Sequence, residues 1–253
     1  MILIKACLNG ARRREEHSAV PISPDELARD AAAAVAAGAG ALHFHPRDAA
    51  GVETLEAEPC AAALAAVRAA CPGIPVGLST GAWIASGAER ERLVSSWQVL
   101  PDFVSVNLIE DGAVELCRLL QARGLGVEAG LTTLADVEVL RQSGLARAMC
   151  RLLIEVEPED PEEAVALAAA IDDALEPFAT DTNRRLHHGT GPATWPVLRA
   201  AAASRRDIRV GLEDTLWLPD ATLAPDNASL VAAAVQLVSR PYPRPSTARP
   251  APL

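Results

Sequence analysis

His43-Phe44-His45 places two imidazoles two positions apart, and on an extended strand both project from one face, ~6–7 Å apart at the backbone. Neutral imidazoles at that spacing can share one metal ion if a third ligand arrives from elsewhere in the chain. Leu42 and Phe44 take the opposite face, so the stretch from Ala41 to Asp48 starts as a half-polar strand. Glu128, Glu155 and Glu213 stand in otherwise apolar runs, and a carboxylate there needs a cation or a metal as partner. Glu213 is the expected third ligand. It closes the run Arg209-Val210-Gly211-Leu212-Glu213-Asp214, where Gly211 leaves space for a ligand. Two histidines and one carboxylate suit a catalytic zinc that keeps one position open. Asp214 then falls beside the metal, where Arg209 can orient it as a general base. The same run also reads as a turn cap at Asp214 and a core ion pair between Arg209 and Glu213. Ser79 and Thr80 can donate to a developing oxyanion, or form an ordinary turn.

The elements that must position these residues alternate regularly. Short β-type runs cover 2–8, the histidine segment from 41, 74–79, 103–107, 126–128, 149–155, 185–188 and 207–213. Alanine- or leucine-rich helical runs separate them: one from the capped start Ser23-Pro24-Asp25-Glu26 to Ala37, then 59–70, 89–97, 112–123, 134–143, 161–175, 192–202 and 227–238. Eight such pairs predict a parallel (β/α)8 TIM barrel, an α/β fold, as one domain over 1–238, followed by a proline-rich tail over 239–253. An open doubly wound sheet is the competitor, but Asn9-Gly10-Ala11-Arg12 is not its glycine-rich first turn. In a barrel the site lies at the C-terminal strand ends. Alternation turns Lys5, Asn9, His43, His45, Ser79, Ser105, Asn107, Glu128, Arg151, Glu155, His187 or His188, Arg209 and Glu213 inward.

A net charge of −10 excludes non-specific nucleic-acid binding, which needs a basic face. Small molecules are the expected partners. The five cysteines, Cys7, Cys60, Cys71, Cys117 and Cys150, are scattered and never paired as Cys-x-x-Cys, as reduced buried thiols would be. Arg12-Arg13-Arg14 follows the apolar start, the reverse of a secretory signal, and no run reaches ~18 apolar residues. A cytoplasmic protein without a membrane partner is expected. The Arg12–Arg14 run reads as a solvated loop, or as an anion site over the barrel mouth, and His188-Gly189-Thr190-Gly191-Pro192 as a weak phosphate-loop signal.

Asn9-Gly10-Ala11, Val20-Pro21-Ile22-Ser23-Pro24-Asp25-Glu26-Leu27-Ala28, His43-Phe44-His45-Pro46-Arg47-Asp48, Leu78-Ser79-Thr80-Gly81, Ser105-Val106-Asn107 and Arg209-Val210-Gly211-Leu212-Glu213-Asp214 together resemble the β-keto acid cleavage enzyme family, whose best-known type is the 3-keto-5-aminohexanoate cleavage enzyme. The resemblance spans almost the whole chain. It implies a TIM barrel, a homotetramer, and a divalent metal, generally zinc, on the residues matching His43, His45 and Glu213. It further implies that a β-keto acid and acetyl-CoA become acetoacetate and a new acyl-CoA. Asp214, steadied by Arg209, would take the carbon-bound proton; Ser79 would stabilise the oxyanion; Ser105, Asn107 and Glu128 would line the pocket. The chain departs from the family pattern in three places: Arg12 stands where an acidic residue is usual, Glu155-Val156-Glu157-Pro158 replaces a glycine-rich loop, and His187-His188 occupies a variable position.

Other chemistries make different demands. An amidohydrolase-like hydrolase also uses a strand-borne His-x-His pair but expects further histidines ending strands five and six, where this chain has Glu128 and Glu155. A Schiff-base aldolase would have only Lys5, the sole lysine. A non-catalytic ligand-binding barrel would hold no metal.

Overall fold

The computed structural model describes residues 1–178, 180 and 184–240. Strands and helices alternate as β1 (Ile4–Cys7), α1 (Pro24–Ala36), β2 (Ala41–Phe44), α2 (Ala57–Ala70), β3 (Val76–Ser79), α3 (Gly87–Ser96), β4 (Phe103–Asn107) and α4 (Ala113–Ala122), continuing through β5 (Gly126–Leu131), α5 (Leu134–Ser143), β6 (Arg151–Val156), α6 (Pro161–Leu175), β7 (Arg184–Gly189), α7 (Thr194–Ala203), β8 (Asp207–Val210) and α8 (Asn227–Ser239). Neighbouring strands pair in parallel in chain order, and β8 pairs with β1 to close the barrel. The expected TIM barrel is the fold. Of the expected tail over 239–253, all but residues 239 and 240 lies outside the described residues.

Helix starts follow local chemistry. Ser23 and Glu26 form a reciprocal capping box before Pro24, Thr133 and Asp136 form another at α5, and Asp160 caps α6 ahead of Pro161. The main core lies between strands and helices: Leu42, Phe44, Val76, Leu78, Val104 and Val106 are buried against Leu27, Leu64, Val67 and Val94. Buried alanines such as Ala31, Ala34 and Ala63 let the helices approach closely with an almost non-aromatic core.

Inside the barrel, the Lys5 amine reaches from β1 to the Glu128 carboxylate on β5, and Arg151 Nη1 bonds the other oxygen at 2.7 Å. The Phe103 ring lies 5.7 Å from Lys5 Nζ and 4.8 Å from the Arg151 guanidinium, within cation–π range. Lys5 and Glu128 are fully buried. Two cations hold the Glu128 carboxyl below its usual range although burial alone would raise it.

One boundary differs usefully from expectation. Strand character was expected through 213, but β8 stops at Val210 and the chain turns, with Asp214 and Thr215 N–H both donating to the Gly211 carbonyl at 2.9 and 3.0 Å. Gly211 is the cause. A Cβ there would sit 1.9 Å from the Cys7 carbonyl oxygen, so β1 and the end of β8 approach backbone to backbone.

Candidate active site

The turn after β8 brings consecutive residues Glu213 and Asp214 to the same pocket, which strict strand alternation would forbid. The pocket is a cavity of about 200 Å³ at the strands' C-terminal ends, reached by His43, His45, Ser79, Ser105, Asn107 and Arg209 as well. Three of these converge. His43 Nε2 lies 3.8 Å from Glu213 Oε2, and His45 Nε2 lies 3.5 Å from Glu213 Oε1. The three candidate ligand atoms fall within 4.8 Å of one another. Donors about 2.0–2.2 Å from one tetrahedral ion stand roughly 3.3–3.5 Å apart, so a small adjustment completes a zinc-sized site. Glu213 Oε2 is buried with no hydrogen-bond partner, a costly arrangement that a cation would relieve.

His45 and Glu213 are held from behind. The Asn9 side chain accepts from His45 N–H at 2.9 Å and donates to the His45 carbonyl at 2.9 Å, continuing the ladder one residue beyond β2. His45 Nδ1 meets Glu53 Oε1 at 2.5 Å, leaving Nε2 for the cluster. Trp83 stacks on the His45 ring at 6.2 Å and 27°, and its indole N–H donates to Glu53 at 3.2 Å. Asp48 makes this possible: its carboxylate accepts from Ala50 and Val52 N–H, and the tight turn folds Glu53 back beside His45. Gly10, at φ +53°, lies so close that a Cβ would meet Glu213 Cγ at 2.3 Å.

The charges are matched. Burial opposes ionisation of Glu213, but Arg209 and the two imidazoles hold its carboxyl well below the usual range. Burial keeps the His43 imidazole neutral, its pKa well below ordinary. Burial pulls the same way at His45, yet Glu213 and Glu53 outweigh it and lift the imidazole to about 9. Arg209 bonds Asp214 through Nε at 3.0 Å and Nη2 at 2.7 Å, and Glu213 through Nη2 at 2.5 Å. The Arg209–Glu213 ion pair read as an alternative from sequence is therefore present, but within the pocket wall and alongside the ligand cluster.

Other expectations move. Thr80 is buried and donates to the Ser105 carbonyl at 2.7 Å, away from the pocket that Ser79 lines. Glu128 is sealed in the Lys5 and Arg151 layer and does not reach the pocket. Its inward direction was read correctly, but two cations inside the barrel consume it. The same pair removes Lys5 from contention as a Schiff-base amine. Arg12 Nε donates to the Leu212 carbonyl at 2.6 Å, bracing the Glu213 turn instead of entering the pocket. His187 points outward to Asp172 at 3.2 Å, whereas His188 points inward, 3.4 Å from Asp214 Oδ1 and 3.3 Å from Glu155 Oε2. Burial resists ionisation of Glu155, but His188 and Arg209 bring its carboxyl down to about 2. Glu53 and Trp83 carried no sequence signal beyond a glycine turn six residues after the histidine pair.

A family model described as "beta-keto acid cleavage enzyme" matches residues 1–251. The chain belongs to the β-keto acid cleavage enzyme family. Within reach of that family, it is similar to the 3-oxoadipate:acetyl-CoA acetyltransferase of Cupriavidus necator, 28% identical over 96% of this chain and 90% of that protein. It is also similar to the 3-keto-5-aminohexanoate cleavage enzyme of Acetoanaerobium sticklandii, 23% identical over 98% of this chain and 96% of that one. A solved structure, the ternary complex of ObcA with a C4-CoA adduct and oxalate, superposes with a TM-score of 0.70 at 15% identity, a likeness of fold. It covers 86% of this chain, which spans 63% of that longer one. A β-keto acid cleavage enzyme with Glu128 and Glu155 at strands five and six lacks the additional histidines an amidohydrolase-like site expects.

Proposed function

We propose that this family member uses a divalent metal, zinc by its donor set, to exchange acyl groups between a β-keto acid and acetyl-CoA, giving acetoacetate and a new acyl-CoA. The observation that carries the reading is the convergence of His43, His45 and Glu213 beside an Asp214 that Arg209 grips through two nitrogens. When bound, the metal would supply Lewis acidity to the keto carbonyl, making its neighbouring carbon acidic. The relatives' printed activities support the substrate classes, one a 3-oxo acid acetyltransferase using acetyl-CoA and one a keto acid cleavage enzyme.

The protein groups account for the remaining chemistry. Asp214 takes a proton from C2 of the keto acid, and the Arg209 clamp aims the carboxylate. The C2 carbanion attacks the acetyl carbonyl and expels the CoA thiolate; Ser79, on the pocket wall, stabilises the developing oxyanion. The thiolate then attacks the original keto carbon and expels the carbanion of acetoacetate, which recovers its proton from Asp214. Ser105 and Asn107 line the wall opposite the turn and orient the keto acid. A cytoplasmic homotetramer completes the reading. Free thiols at all five cysteines are in keeping with a reducing compartment. Exposed Trp83, Ile109, Trp217 and Leu223 on loops, with Leu134 at the start of α5, give the barrel mouth apolar surface for subunit contact. No helix among the described residues is long and apolar enough to cross a membrane.

Asp214→Asn is expected to retain metal while turnover falls by at least about a thousandfold, and Glu213→Gln to lose metal during dialysis. Elemental analysis and acetoacetate assay of both variants check this. Equal metal content and equal turnover in the two would mean the roles are wrongly divided.

A further inference from the structure

The basic run Arg12-Arg13-Arg14 is only partly used by the site already described, since Arg12 braces the turn and its two neighbours do not. Arg13 and Arg14 line a second cavity of about 550 Å³ between the loops after β1 and β2, and Arg47 completes its basic wall. This groove adjoins the catalytic pocket, since Ala11 lines both. Its cations are differently committed. Arg14 is paired with Glu26. Arg47 is anchored to the Gly10 and Arg12 carbonyls, stands 4.0 Å from Glu53, and keeps a buried Nε without a hydrogen-bond partner. Arg13 is exposed, and among the described residues its guanidinium has no ion pair. Glu15 and Glu53 are the acids in the wall, and Glu53 is already engaged by His45 and Trp83.

On a chain of net charge −10, Glu26 offsets Arg14 and Glu53 offsets Arg47, so the exposed Arg13 is the guanidinium this groove leaves to meet an anion beside the pocket. Guanidinium groups are suited to bidentate recognition of phosphate oxygens. Resting on the proposed thioester chemistry, we propose that this groove is a phosphate subsite of the same active site, holding the nucleotide end of the CoA thioester through Arg13, Arg14 and Arg47. The groove's volume favours this occupant, since a single carboxylate would leave most of it to water.

Arg13→Glu tests the proposal, because that side chain is exposed and makes no ion pair among the described residues. Calorimetric titration of the metal-loaded full chain with 3′,5′-ADP is expected to show binding that weakens about tenfold or more in the variant. In steady state the KM for acetyl-CoA rises about tenfold, and the penalty shrinks to less than about twofold with acetyl-pantetheine, which has no phosphates. Failure of 3′,5′-ADP to bind the unaltered protein, or equal binding by the variant, overturns the subsite. A rise confined to the KM of keto acids bearing a distal carboxylate also overturns it, assigning the groove to the other substrate. Absence of acetoacetate with every keto acid, alongside Arg13-dependent binding of 3′,5′-ADP, would count against the catalytic reading and leave the groove assignment standing.

Discussion

His45 sits between two carboxylates, Glu213 at Nε2 and Glu53 at Nδ1, and this arrangement decides which nitrogen can take a metal. A carboxylate on Nδ1 fixes the tautomer and raises the basicity of Nε2. Glu53→Gln keeps a hydrogen bond but removes the charge, so metal affinity should fall about ten- to hundredfold, as read by competition with a chromophoric chelator. An unchanged affinity would show that Glu53 only fills space. The convergence of His43, His45 and Glu213 was readable from residue types and period-two spacing: an acid ending an apolar run and two imidazoles on one strand face have few inexpensive alternatives. Glu53 was not readable, because its contact depends on how the Asp48 turn closes. Thr80 and Glu128 were misplaced for a related reason. Alternation tells which way a side chain points, not whether another group inside the barrel has already satisfied it.

The turn after β8 does most of the positioning at the level of elements. Asn227, the first residue of α8, accepts from Leu212 N–H at 2.7 Å and donates to the Leu8 carbonyl at 2.8 Å, tying that turn to the end of β1. Replacing Asn227 by Ala strands both buried backbone groups and should cost about 2–4 kcal/mol by denaturant unfolding. Metal retention should drop with it, because the turn carries Glu213. Stability within about 0.5 kcal/mol of the parent would show that the turn holds itself. The barrel was legible from the repeated alternation of short apolar runs with capped helices. The early end of β8 was not, since a glycine in a strand marks close backbone approach without naming the partner, here the Cys7 carbonyl.

Across the whole molecule, charge is arranged in layers: a closed Lys5, Glu128 and Arg151 group within the barrel, the ligand cluster above it, and the arginine groove outside. Asp30 works against stability. Burial lifts the Asp30 carboxyl to about 7, despite a hydrogen bond from Asn227. An unfolded aspartate titrates near 4, so the native state holds the extra proton and stability falls as pH rises from about 4 to about 7. Asp30→Asn should match the parent near pH 4 and melt on the order of 10 °C higher at pH 8 by calorimetry. The reverse order would mean that the charged carboxylate is stabilised by its surroundings. The most direct test of the catalytic account follows the acetyl carbons. With acetyl-CoA carrying carbon-13 in both acetyl positions and a panel of unlabelled β-keto acids, the label should appear at C3 and C4 of acetoacetate, with unlabelled C1 and C2. Acetoacetate without label, or no acetoacetate from a fully metal-loaded protein, would contradict the exchange.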